Sequence, residues 1–168
     1  MASRRTIRAG IAALCGLVLA ACAGPAQYYS GTGVHDATAA QVTGHWSNVE
    51  GTRVELREDG TAVLRKLDGQ DFDYDEGWRL SGTGTWRLAD TDGGQVVRLA
   101  LKTSTGVDER APEPAGVQAP SADTRPPTTY DWSLYVDRSK REREVKLFFF
   151  YGDPDSGNTY VLTRAAKK

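Results

Sequence analysis

The side chains best equipped for chemistry fall in two short runs. In "DGQDFDYDEGW", Asp68 to Trp78, the carboxylates of Asp71, Asp73 and Asp75 alternate with aromatic residues. That is an oxygen-rich pattern of the kind a hard cation such as Ca²⁺ accepts. An EF-hand loop starting at Asp71 requires Gly at its sixth position and Glu at its twelfth. Those positions hold Glu76 and Gly82, so the run reads as a strand edge with one solvated face. Asp71, Asp73 and Asp75 remain only a weak Ca²⁺ candidate. In "FFFYGDPDSG", Phe148 to Gly157, Asp153 and Asp155 form a carboxylate pair beside stacked aromatics. Asp153 suits the first position of a type I turn, Pro154 the second, and Gly157 a positive φ, so turn geometry accounts for the pair.

Other catalytic sets are missing. The only histidines are His35 and His45, the second of them beside Trp46. There is no Gly-X-Ser-X-Gly elbow, no His-Glu-X-X-His pair and no glycine-rich phosphate loop. No cofactor is implied. A binding role is therefore expected, and a hydrolase ranks only third.

The two thiols are Cys15 and Cys22. Arg4, Arg5 and Arg8 precede Ala9 to Ala21, a 13-residue run that is apolar or small throughout. A spanning helix needs about 20 such residues. Basic start, short apolar run and small residues at the cut describe a secretory signal. Leu19-Ala20-Ala21-Cys22 resembles the lipobox of bacterial lipoproteins. That resemblance implies a diacylglyceryl group on the Cys22 thiol and cleavage before it. The mature chain then sits on the outer side of the cell membrane, held by its lipid. Neither cysteine is left for a disulfide, a metal site or a nucleophile.

Loss of residues 1–21 removes three of the 21 basic residues and none of the 22 acids, leaving a formal charge of −4. This balance does not suit a nucleic-acid partner. Isoleucine occurs only at Ile7 and Ile11, whereas Ala, Gly, Thr, Asp and Arg are abundant. That bias suggests a high-GC, actinobacterial source.

The elements that position these residues follow from the hydropathy pattern. Residues 22–41 are rich in Gly, Ala, Ser and Thr and read as a flexible tether, with a helical turn at Thr38 to Val42. A single β-domain occupies 42–168. Alternation of period two marks strands at Val42–Ser47, Arg53–Arg57, Thr61–Lys66, Thr83–Leu88, Gln95–Thr103, Tyr130–Val136, Val145–Tyr151 and Asn158–Arg164. Asp59-Gly60 and Asp92-Gly93-Gly94 supply turns. Residues 104–128 hold five of the seven prolines and read as a disordered loop within the domain. Seven or eight antiparallel strands in sequence predict an all-β meander closed into a small barrel, with a β-sandwich as the alternative.

Gly44-His45-Trp46 is similar to the Gly-X-Trp motif that opens the first strand of lipocalins. The resemblance implies that Trp46 packs at one closed end, under an arginine for which Arg164 is suitably placed. The Thr-Asp-Tyr signature of that family is absent, as is its C-terminal helix. The ending "LFFFYGDPDSGNTYVLTR" looks like that of a group of uncharacterised actinobacterial lipoproteins, a likeness that carries no function.

Two binding roles are consistent with such a domain. A lipocalin-like barrel would hold a small apolar ligand or envelope component, with Trp46, Trp86, Trp132, Phe148, Phe150 and Tyr151 as candidate contacts. Alternatively, Trp46, Trp78, Trp86 and Trp132 fill the interior, and the barrel works through its surface as an envelope protein-interaction module. The basic tip "RSKRER", with Arg138, Lys140, Arg141 and Arg143, is a further candidate for contact with anionic head groups.

Overall fold

The alternation from Gly44 onward builds eight strands: β1 (Gly44–Ser47), β2 (Arg53–Leu56), β3 (Thr61–Asp68), β4 (Trp78–Thr91), β5 (Gly94–Glu109), β6 (Tyr130–Arg138), β7 (Val145–Phe150) and β8 (Thr159–Arg164). Each pairs antiparallel with its neighbours in sequence, and β8 returns to β1, so the sheet closes into a barrel. Closure excludes the sandwich. The computed structural model describes residues 29–110, 126–139 and 144–165. The expected signal, Cys22 and most of the proline-rich segment lie outside the described residues, as do Lys140, Arg141 and Arg143. Among the described residues, no helix is long and apolar enough to cross a membrane.

Alternation puts one apolar set inside. Leu56, Leu67, Leu80, Leu99, Leu101, Leu134, Leu147, Phe149 and Leu162 are all fully buried, and Trp46 and Trp132 lie among them. The turn chemistry also holds. At Asp59-Gly60 the Gly60 amide donates to the Arg57 carbonyl, and the Arg57 amide to that of Thr61. The Asp59 carboxylate accepts from the Thr61 amide at 2.9 Å. On β4, Gly82 and Gly84 sit at two register shifts against β5. A Cβ on Gly84 would lie 1.9 Å from the Ala100 carbonyl oxygen, so only glycine lets the two backbones approach there.

Three expectations change. The tether does not run free to Gln41. From Tyr29 the chain lies on the barrel as a strap: Gly33 donates to the Gly93 carbonyl at 3.0 Å, Gln95 to Val34 at 2.7 Å, and the Thr32 hydroxyl to Val136 at 2.7 Å. The strap ends in a one-turn helix, α1 (Ala39–Val42), started by a capping box between Thr38 and Gln41. Val42 thus closes the helix instead of opening β1. Second, β5 continues through Ser104 to Glu109, because the start of β4 pairs with it from Trp78 onward. Residues 104–109 are strand, not loop. Third, Asp71 to Asp75 is not a strand edge. Phe72–Tyr74 form a 3₁₀ turn, and Asp71 bridges to Tyr151 on the far side of the barrel mouth.

The barrel therefore has two different ends. The strap end carries α1 and the β2–β3, β4–β5 and β6–β7 connections. The loop end carries the β1–β2, β3–β4, β5–β6 and β7–β8 connections. Only one seam joins strands remote in sequence, where Trp46 faces Arg164 and Ser47 faces Thr163.

Candidate functional site

Period-two alternation divides the predicted contact residues between the interior and the outer wall. Trp46 and Trp132 are each 1% exposed and Trp86 is 8% exposed. Their indole nitrogens are already used: Trp46 donates to the Val42 carbonyl, Trp86 to Arg57 and Trp132 to Asp68, each at 2.8 Å. Trp78 is buried as well and donates to the Glu76 carboxylate. Four indoles thus occupy the barrel with their polar edges paired. The Arg164 guanidinium carbon lies 5.0 Å from the Trp46 ring centroid, and its Nη1 and Nη2 donate to the carbonyls of Thr43 and Gln41. Two depressions of about 330 and 520 Å³ lie over β3, β4 and β5, both open to solvent.

The outward side of β7 is aromatic. Phe148 and Phe150 are half-buried there, while Leu147 and Phe149 point inward. Tyr135 on β6 stacks on Phe148 at 5.3 Å between ring centroids. Tyr29, the first described residue of the strap, meets Tyr135 at 5.1 Å and Phe150 at 5.0 Å, both edge to face. Val161 on β8 stands opposite Phe148 and is 40% exposed. Burial pushes the Tyr29 phenol up to about 12, with Asp137 and Tyr135 adding to the shift. It is neutral at ordinary pH. Sequence periodicity puts Phe148 and Phe150 on the face opposite Leu147 and Phe149 without saying which face is outward, and it carries no sign that Tyr29 joins them.

Tyr151 does not belong to that wall. It packs at the loop end against Tyr74, 4.2 Å away, and near Tyr160. Beneath these rings lies a polar network that the sequence did not reveal. Asp68 is fully buried. Its Oδ2 accepts from Arg79 Nε at 3.0 Å and from the Tyr160 hydroxyl at 2.8 Å. Arg110 Nη1 lies 3.4 Å from Oδ1, an ionic contact without hydrogen-bond alignment. Arg110 also covers the Tyr74 ring, 3.3 Å from its centroid. Thr52 Oγ1 accepts from Arg79 at 2.8 Å and lies 2.5 Å from the Tyr160 oxygen. Burial pushes the Asp68 carboxyl up, against the opposing pull of Tyr160, Arg79 and Arg110. Burial, then Asp68, also raises the Tyr160 phenol, which stays a neutral donor.

No family model matches this chain, and neither a curated protein nor a solved structure does. The chemistry of the chain therefore rests on its own geometry.

For the remaining candidates that geometry is structural. The Asp153 carboxylate accepts from the Asp155 amide at 2.8 Å and caps the 3₁₀ turn Pro154–Ser156, with Gly157 left-handed behind it. Asp73 accepts from the Tyr130 hydroxyl at 2.6 Å. Among the described residues, no three His, Cys, Asp or Glu side chains converge as a metal site would need. His35 pairs with Asp90 at 2.8 Å, and His45 is exposed on β1.

Proposed function

We propose that this protein is a lipid-anchored domain outside the cytoplasm that binds an envelope component through its outer wall, without catalysing a reaction. Supporting this is the filling of the interior. Four tryptophans and a fully buried aliphatic set occupy the space a small apolar ligand would need, and every indole N–H has a protein partner. An outward apolar patch available for recognition lies at Tyr29, Tyr135, Phe148, Phe150 and Val161. A contiguous, partly exposed apolar patch of this kind marks an interaction surface.

The test has two arms. Mass spectrometry of the membrane-extracted chain is expected to find Cys22 as the N-terminal residue, carrying a diacylglyceryl group. Cys22→Ala is expected to leave an unlipidated precursor, and unchanged partitioning of that variant into the detergent phase would overturn the anchor. Native mass spectrometry of the unlipidated domain is expected to show the bare polypeptide mass. A tightly held lipid that co-purifies would restore the small-ligand reading.

A further inference from the structure

We infer that the envelope component met by the aromatic wall is the bilayer to which Cys22 is anchored, so that the barrel rests with β6–β8 against the lipid head groups. This rests on the lipid-anchor reading above. The decisive placement is that of Tyr29. The strap enters the described structure not at the loop end or over β3–β5 but within the wall itself, among Tyr135, Phe148 and Phe150. Seven Cα–Cα steps separate Cys22 from Tyr29, and whatever path they take they reach at most about 25 Å. A lipid on Cys22 therefore holds this wall, more than any other surface, close to the membrane.

The chemistry of the wall suits that neighbour. Tyrosine presents an apolar ring and a polar tip, the combination that favours the boundary between head groups and acyl chains. Phe148, Phe150 and Val161 add apolar area beside it. The outward positions of β7 and β8 are Lys146, Phe148, Phe150, Thr159, Val161 and Thr163, with no carboxylate to repel an anionic surface. Asp131 and Asp137 are outward on β6, Asp137 facing Lys146 of β7 and near enough to Tyr29 to raise its phenol, so the carboxylate-free part of the wall is β7 and β8. The contact needs little intrinsic affinity, because a short tether raises the effective concentration of wall and membrane into the millimolar range.

The mature chain would have no free thiol, so a single introduced cysteine can report on one surface. Val161→Cys on the wall and Thr85→Cys on exposed β4, across the barrel, each carry an environment-sensitive dye on the full-length lipidated protein. The protein is reconstituted in vesicles of phosphatidylglycerol and phosphatidylethanolamine. The expected result is a blue shift and a loss of aqueous-quencher access at Val161→Cys, with neither at Thr85→Cys. Phe148→Ser combined with Phe150→Ser should abolish the shift while Cys22 remains lipidated. Equal quencher access at both positions in a lipidated sample would overturn the docking and leave the anchor standing. Shielding at Val161→Cys without vesicles would overturn it in favour of a second copy of the chain. Dye uptake by the unsubstituted chain would show a free Cys22 thiol and overturn the anchor with everything resting on it.

Discussion

At the strap end, Ala37 and Val42 cap the barrel and Gln95 sews them down, its side chain accepting from the Ala37 amide at 2.7 Å and donating to its carbonyl at 3.0 Å. At the loop end, the corresponding space holds a buried carboxylate between two guanidinium groups, with Tyr160 and Thr52 completing the set. The first closure is apolar and backbone-like, contributed by a segment outside the sheet. The second is ionic and is built on strand residues and on Thr52 and Arg110 at the ends of β2 and β5. A strap held by separate hydrogen bonds can open without unfolding the barrel. A network joining β3, β4, β5 and β8 cannot.

The largest expected effect lies at the ionic end. Asp68→Ala leaves two arginines without their shared carboxylate and should cost about 3–5 kcal/mol of global stability, read from denaturant melts. A loss below about 1 kcal/mol would mean that the network is no more than surface charge, and the contrast between the ends would collapse. Gln95→Ala strips the strap of both its buried partners and should cost about 1–3 kcal/mol. Hydrogen exchange should localise that loss to the strap, notably at the Gly33 amide, with β7 unaffected. Thr38→Ala removes the cap of α1 and should cost about 1 kcal/mol, again confined to the strap.

Acid should separate the ends with the smallest effect of the four. The Arg138 hydrogen bond holds the exposed Asp36 carboxyl below its ordinary range. That pairing favours the docked strap above the unfolded value near ~3.9 and is lost as pH falls through the lower folded value. Asp68 is shifted the other way by burial. Its contribution is fully present below the unfolded value and declines as pH rises through the folded one. On acidification from pH 6 to 3, exchange at Gly33 should therefore quicken relative to exchange at Asp71, whose amide donates to Phe150 at the loop end. Parallel quickening at both amides would erase the distinction.

Sequence pattern carried the strands because most inward residues are apolar and the turns have their own chemistry. It failed where those signals were silent. Beyond Thr103, β5 shows no apolar alternation; it is held by backbone pairing with Trp78 to Ser81. The strap at Gly31, Thr32 and Gly33 is held by the Gly33 amide and the Thr32 hydroxyl donating to main-chain carbonyls, contacts that hydropathy does not record. Asp68 was hidden by a register shift. Strict alternation from Ala62 and Leu64 would turn Lys66 inward, but the ladder shifts between Leu64 and Leu67, with Lys66 at a φ of +54°. The bulge turns Lys66 outward, buries Leu67 and leaves Asp68 among the arginines. Of the candidate contacts, Phe148 and Phe150 lie on the outer side of β7 and are half-buried. The tryptophans are buried.

The seam between β1 and β8 has a consequence for how the chain reaches this state. Every other pairing joins sequence neighbours, so the meander can zip from local hairpins. The seam must bring together Ser47 and Thr163, 116 residues apart. Loop closure over that span costs roughly 4 kcal/mol of chain entropy beyond a constant, and only two facing pairs form in return. We expect an open sheet to form first, with β1 and β8 as unpaired edges able to recruit the edges of a neighbouring chain. Arg164, reaching from β8 to the carbonyls of Thr43 and Gln41, is then a clasp against aggregation as much as a source of stability.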